Sequence, residues 1–198
     1  MRITIILLLL GLILPDGIAQ VPDNAEDVSP LLISEKIPEV NVQDINGTML
    51  AISDVTEDSR SVFLFYRGGW CPYCNAHLSA VGEVEEDIIA LGYRVIAISP
   101  DSPSKLRTTA EKEKLRYTLY SDASGNLMTA MGIAFKAPDR YEKRLTNYSD
   151  GQNPGVLPVP SLFVVETDGT IMFEYINPDY KHRISADLLI SVLRNLSN

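Results

Sequence analysis

The chain has 198 residues, with 17 Lys and Arg against 26 Asp and Glu, and its formal net charge is −9 at pH 7. This acidic balance argues against a nucleic-acid partner, because phosphate binding needs clustered Lys and Arg. The length fits a single domain of ordinary size that can bury an ample core.

The first 19 residues have the layout of a secretory signal peptide. Arg2 precedes an apolar run from Ile3 to Leu14, and a small-residue site ending at Ala19 follows. The run is shorter than the about 20 apolar residues that a transmembrane helix needs, although an uncleaved segment that tethers the chain stays the alternative. We therefore expect an exported protein, periplasmic or extracellular, with no stable membrane span after processing. Residues 20–35 read as a polar linker and 36–198 as the folded domain.

The first half of this domain alternates strand and helix patterns. Residues 37–55 predict a β-hairpin that turns at Asn46 and Gly47, the pair that a type I′ turn prefers. An apolar run at Ser61–Tyr66 predicts a buried strand. Apolar residues spaced by three or four then predict one helix from Pro72 to Leu91, with proline in its first turn, and residues 93–100 predict a second buried strand.

The alternation continues in the second half. Helices are predicted over 102–116 and 124–132, a strand over 117–122, a hairpin over 161–176 and a final helix capped by Ser185. Residues Phe135 to Val159 show no clear period, and a loop of that length is often a lid or a binding segment. This order predicts an α/β fold of the thioredoxin type, a central mixed sheet with helices on both faces.

The only two cysteines of the chain, Cys71 and Cys74, lie in "FYRGGWCPYCNAHL". A structural disulfide between them would close a very short loop and stabilise little. A closed zinc site needs four ligands, and the only other soft ligands are His77 and His182, so no metal and no cofactor is predicted. We expect His77 to be an exposed surface side chain.

The spacing fits a redox-active pair better. Cys71 would stand at the N-terminus of the predicted helix, where free N–H groups and the dipole favour a thiolate. Such placement lowers a cysteine pKa to roughly 3.5–7.5, from about 8.5. Cys71 is therefore the predicted nucleophile, and Cys74, one turn further along, the predicted resolving thiol of a disulfide. Pro72 fixes the backbone of the first helical turn.

Three further residues are candidates for active-site support. Arg67 is a cation four residues before Cys71 that could stabilise a thiolate, or simply a solvent-facing strand end. Trp70 could cover the thiol or bind substrate with its flat face, or cap the sheet. Pro160 precedes a buried strand, where it could be a cis-proline against the CxxC site or an ordinary strand-entry proline.

The cysteine motif and "LPVPSLFVVETDGTIMFEYINPDYKHRISADLLISVL" together resemble the peroxiredoxin-like branch of the alkyl hydroperoxide reductase and thiol-specific antioxidant family, over about Lys36 to Leu196. The resemblance implies a thioredoxin fold and reduction of hydrogen peroxide or organic hydroperoxides through a sulfenic acid on Cys71. It implies that Cys74 condenses with that acid and that an external thiol donor, thioredoxin-like or of glutathione type, reopens the disulfide.

Two positions depart from the family pattern. Standard members carry a threonine or serine three residues before the peroxidatic cysteine and an arginine in the facing strand, where this chain has Gly68 and Pro160. That pair is more similar to a thiol-disulfide oxidoreductase acting on disulfide substrates in the exported compartment, and "CPYC" also resembles glutaredoxins. A non-enzymatic thiol or metal-binding module that uses Cys71, Cys74 and His77 is the third alternative.

Overall fold

The computed structural model describes residues 21–197. The predicted signal peptide lies outside the described residues, so it stays a prediction. Residues 21–35 run along the folded domain, since the Leu31 N–H donates to the Met131 carbonyl and the Ser34 N–H to the Ile171 carbonyl. Among residues 21–197 no helix has the length and apolar character needed to cross a membrane.

Nine strands and six α-helices make up the described domain. The strands are β1 (Asn41–Gln43), β2 (Met49–Ala51), β3 (Arg60–Phe65), β4 (Tyr93–Ser99), β5 (Thr118–Ser121), β6 (Ala134–Lys136), β7 (Val156–Pro158), β8 (Ser161–Val165) and β9 (Ile171–Ile176). The helices are α1 (Pro72–Glu83), α2 (Glu85–Ala90), α3 (Pro103–Glu113), α4 (Asn126–Ala130), α5 (Glu142–Tyr148) and α6 (Ala186–Leu196).

Seven strands form the central sheet in the order β2-β1-β5-β4-β3-β8-β9, and β6 pairs with β7 apart from it. Strand β3 lies parallel to β4 and antiparallel to β8, so the sheet is mixed. Successive side chains of β3 point to opposite faces. Val62 and Leu64 join one buried cluster, and Phe63 and Phe65 join the other. The sheet thus separates two cores, and β3 at its centre ends where the cysteine motif begins.

Both faces of the sheet carry helices. One core takes apolar side chains from α1, α2, α3 and α6, including Leu78, Ile88, Leu106 and Leu193. The other core takes Leu127 and its neighbours from α4. The predicted mixed α/β fold of the thioredoxin type is therefore confirmed. The predicted cap of the last helix is confirmed too, because the Ser185 hydroxyl accepts the Leu188 N–H at 3.2 Å.

The predicted single helix from Pro72 to Leu91 is wrong in one respect: it is two helices, broken at Val84. Val84 has φ −108° and ψ 11°, outside the helical region. Directly after it, Glu85, Glu86 and Asp87 form the first turn of α2. Negative side chains stabilise a helix N-terminus, so this acidic run favours a new start at this point.

The segment from Phe135 to Val159 contains regular structure that its sequence did not reveal. It holds most of β6, a 3-10 turn at Asp139–Tyr141, helix α5 and strand β7. Only Leu145 of α5 is buried, so the helix has too few apolar residues to show a period.

The first predicted hairpin is confirmed, since β1 and β2 pair antiparallel. Its connection is longer than a two-residue type I′ turn, because the pairing ends at Gln43 and Met49. The Asp44 carboxylate accepts the N–H groups of Asn46 and Thr48, each at 2.8 Å. This Asx-type bonding determines the turn conformation. Within residues 44–48 only Gly47 has a positive φ, at 87°.

Candidate active site

Cys71 and Cys74 meet at the start of α1, just beyond the end of β3. Cys71 is the N-cap residue, and its carbonyl accepts the N–H groups of Cys74 and Asn75, each at 3.0 Å. Both side chains are free thiols, and both are buried, with 2% and 1% of their surface exposed. The helix start that Pro72 enforces thus holds two thiols one turn apart.

The two thiols have opposite acidities. The pKa of Cys71 falls to about 6, chiefly because the Cys74 thiol hydrogen-bonds to it, with further help from the Cys74 N–H and the cations Arg67 and Arg183; burial opposes the shift. Burial, and next the hydrogen bond with Cys71, raise the pKa of Cys74 well above its ordinary value. Near neutral pH the pair therefore holds a thiolate on Cys71 and a proton on Cys74.

Arg67 is buried, with 3% of its surface exposed, so the alternative of a solvent-facing strand end is wrong. Its guanidinium carbon lies 4.2 Å from the ring centre of Tyr180, 4.7 Å from that of Tyr141 and 5.1 Å from that of Trp70. Stacking on aromatic faces lets a guanidinium keep its charge away from bulk water. The cation is thus held next to the thiols by three rings.

Trp70 is half-buried and belongs to this aromatic group. Its ring centre lies 5.3 Å from that of Tyr141, with the two planes tilted by 32°. A second cation, Arg144 from α5, lies 5.1 Å from the indole centre. The segment that sequence inspection treats as a lid therefore reaches the site through Tyr141 and Arg144.

Glycine at position 68 is required by the backbone. Gly68 has φ +134°, and a Cβ there would lie 2.4 Å from Trp70 Nε1 and 2.7 Å from Asp101 Oδ1. The other oxygen of the buried Asp101 accepts the Gly69 N–H at 2.7 Å. Burial raises the pKa of Asp101 to about 7. A threonine or serine side chain therefore does not fit at position 68 of this backbone.

Pro160 is an ordinary strand-entry proline, and the alternative of a cis-proline is wrong. Within residues 21–197 every peptide bond is trans, and Pro160 directly precedes β8. Its ring lines a cavity of about 210 Å³ together with Arg67, Tyr141 and Tyr180. Pro160 and Arg67 thus share one cavity, whereas Pro72 is exposed at the helix start.

The most informative residue that sequence reasoning missed is Arg183. Its guanidinium donates to Cys74 Sγ at 3.7 Å from the loop between β9 and α6. His77 is half-buried, not exposed as expected, and burial and the charge of Arg183 lower its pKa to about 4. No group of three or more His, Cys, Asp or Glu side chains among residues 21–197 is arranged to hold a metal ion. Arg183 lies 109 positions from Cys74, so no local spacing could have revealed the contact.

The model of the AhpC/TSA family matches residues 33–174, which is most of the chain. The chain belongs to the AhpC/TSA family. This confirms the resemblance seen in the cysteine motif. The AhpC/TSA protein is 29% identical over 143 residues to a protein of Mycobacterium tuberculosis that is provisionally named a peroxiredoxin, and the match covers 72% of this chain and 83% of the relative. It is 23% identical over 188 residues to the thiol-disulfide oxidoreductase ResA of Bacillus thuringiensis, covering 94% and 92%.

Solved structures agree on the fold. Reduced Prx3 of Vibrio vulnificus, in complex with hydrogen peroxide, superposes on this AhpC/TSA protein with a TM-score of 0.71 at 11% identity, covering 82% of this chain and 99% of that one. Peroxidoxin BcpB of Mycobacterium tuberculosis gives a TM-score of 0.65 at 20% identity, covering 83% and 97%. At these identities the likeness shows the fold alone.

Proposed function

We propose that this AhpC/TSA protein is a thiol peroxidase that reduces hydrogen peroxide or organic hydroperoxides with Cys71 as the attacking residue. The observation that carries the proposal is the position of Cys71 at the N-cap of α1, next to the Cys74 thiol and two cations, all of which favour its thiolate. Only the thiolate is the nucleophile, and a pKa of about 6 keeps most of Cys71 in the thiolate form at neutral pH. Family membership supports the same chemistry.

The steps follow from the two thiols. The Cys71 thiolate attacks one peroxide oxygen, the O–O bond breaks, and the leaving oxygen takes a proton to become water or an alcohol. Cys71 is left as a sulfenic acid. The Cys74 thiol then attacks that sulfur, releasing water and forming the Cys71–Cys74 disulfide. Two equivalents of an external thiol, from a thioredoxin-like or glutathione-type donor, return the enzyme to the dithiol.

Arg67 is the residue best placed to assist the peroxide step. It borders the cavity of about 210 Å³ that Pro160 also lines, and its charge lowers the pKa of Cys71. A guanidinium there can donate to a peroxide oxygen while charge develops on the leaving atom. Trp70 and Tyr141 shield this position from bulk water.

The test is a stopped-flow reaction of the reduced protein with one equivalent of hydrogen peroxide, followed by the fluorescence of Trp70. We expect a second-order rate constant at least a hundredfold above that of a free thiol at the same pH, lost in Cys71→Ser. Cys74→Ser should keep the first oxidation and stop at the sulfenic acid, which a sulfenic-acid reagent would trap. A rate equal to that of the free thiol would contradict the proposal.

The second candidate is a thiol-disulfide oxidoreductase, favoured by the similarity to ResA along almost the whole chain. Tyr73, between the two cysteines, has 46% of its surface exposed and offers an aromatic contact to a protein substrate. This function predicts rapid exchange with a protein disulfide and slow reaction with peroxide. The same fluorescence experiment with an oxidised protein substrate separates the two candidates.

A further inference from the structure

A second, larger cavity of about 790 Å³ opens on another side of the cysteine motif. Helices α1, α3 and α5 form its walls, and Gly69 lies against α3 so closely that a Cβ there would come within 2.0 Å of Thr109 Oγ1. Trp70 and Pro72, the two sequence neighbours of Cys71, line the cavity. A molecule bound there would lie against the two residues that flank the buried Cys71 in the chain.

The charged side chains of this cavity are mainly basic, in a chain whose net charge is −9. Lys105, Lys112 and Arg144 line it together with one carboxylate, Glu113, which is 2.9 Å from Lys112 Nζ. Among residues 21–197, Lys105 and Arg144 make no ion pair with a carboxylate.

Instead, these two cations lie over aromatic rings. The Lys105 ammonium is 5.3 Å from the Tyr148 ring centre, and the Arg144 guanidinium is 5.1 Å from the Trp70 ring centre. Buried Asp101 interacts with Lys105, but a pKa of about 7 leaves that carboxyl partly neutral near pH 7. The cavity thus presents an excess of positive charge to a ligand.

We propose that this cavity binds a small thiol that carries carboxylates, a peptide of the glutathione class, which reduces the Cys71–Cys74 disulfide. The volume lies within the range of small-molecule sites. Lys105 and Arg144 offer their charges to the carboxylates, and Asn75 and Thr108 add polar groups. The proposal names the electron donor of the proposed function, and it rests on that function only in taking Cys71 and Cys74 as a redox pair.

The reduction balances with two donor thiols. The first thiolate attacks the sulfur of Cys71, the Cys71–Cys74 bond breaks, and Cys74 leaves with the electron pair and takes a proton. A second thiolate attacks the donor sulfur of the mixed disulfide and releases Cys71 as a thiolate. The products are the reduced protein and one oxidised donor dimer. Trp70 and Pro72, which flank Cys71, line the cavity, so Cys71 rather than Cys74 is the sulfur that we expect a bound donor to attack.

The experiment begins from disulfide formed with diamide, so it does not depend on the peroxide step. Reduction by glutathione and by neutral 2-mercaptoethanol is followed by counting free thiols with mass spectrometry, and each rate is divided by the thiolate fraction of the donor. We expect glutathione to be about tenfold faster, with the advantage shrinking at high salt. Lys105→Gln should slow glutathione about fivefold and leave 2-mercaptoethanol unchanged, and Arg144→Gln should slow glutathione more than 2-mercaptoethanol.

Lys143→Gln is the matched control, since it removes the same charge from α5 but does not line the cavity. Equal corrected rates for the two donors, equal slowing of both donors in the variants, or slowing by Lys143→Gln as large as by Lys105→Gln would overturn the proposal. A glutathione preference without fast peroxide reduction would contradict only the proposed peroxidase function. Failure to form the Cys71–Cys74 disulfide would contradict both.

Discussion

The hydrogen bond from Cys74 is the largest cause of the low Cys71 pKa, so replacing Cys74 should change the reactivity of its neighbour. In the unmodified protein a pKa of about 6 leaves about nine-tenths of Cys71 as thiolate at pH 7. A thiol with the ordinary value of 9.0 would be about 1% ionised at that pH. The first step is to measure the rate of alkylation by iodoacetamide against pH, with the modified peptide identified by mass spectrometry.

Cys74→Ala removes the donor, whereas Cys74→Ser keeps a hydroxyl that can donate. A hydrogen bond to a charged group contributes about 1.5–3 kcal/mol, and one pKa unit corresponds to about 1.4 kcal/mol. We therefore expect the alkylation midpoint of Cys71 to rise by about one to two units in Cys74→Ala and by clearly less in Cys74→Ser. The reasoning is refuted if both variants shift equally, or if the unmodified protein titrates near 9.

Two further predictions concern the buried charges. Arg67→Lys should slow peroxide reduction about tenfold and raise the Cys71 midpoint, because an ammonium does not stack flat on three rings. Stopped-flow rates should stay normal in Arg194→Lys, which changes an exposed arginine of α6 outside the cavity, and equal loss in both would count against the idea. Asp101 has a folded pKa raised to about 7 from 3.8, so its contribution to stability is present below about pH 4 and is lost as pH rises to 7. Asp101→Asn keeps an acceptor for the Gly69 N–H, so its free energy of unfolding relative to the unmodified protein should rise by on the order of 4 kcal/mol between pH 4 and pH 8 in urea titrations. A constant difference would show that Asp101 does not titrate in this range.

Local sequence patterns predicted the fold and the position of the thiols well. Pro72 after a short apolar strand is enough to set a helix start, and the helix start places Cys71 at the N-cap. The same patterns could not predict side chains that tertiary contacts bring to the site. Arg183 reaches Cys74 only because β9 and α6 are brought beside α1 by the sheet order, and Asp101 is placed under Gly69 by β4.

Two other features of the structure were not predicted from the sequence. The expected cis bond at Pro160 came from the habit of CxxC proteins rather than from any local signal, and the chain enters β8 with a trans bond. Helix α5 was missed because it buries a single apolar residue, Leu145, and is held by the rings and charges around Trp70. Surface helices that pack through cations and aromatic rings leave no hydrophobic period for sequence inspection to detect.

The departures from the family pattern have one physical explanation. Gly68 has no room for a threonine side chain, and Pro160 brings no charge, so the thiolate must be stabilised by other groups. Arg67 on its aromatic platform and Arg183 supply the charge, and the Cys74 thiol supplies the hydrogen bond. In the proposed peroxidase reaction, the Cys74 thiol that stabilises the attacking thiolate also attacks the sulfenic acid. Because the Cys74 thiol hydrogen-bonds to Cys71 one turn away, the two sulfurs are placed to form the disulfide that the proposed function requires.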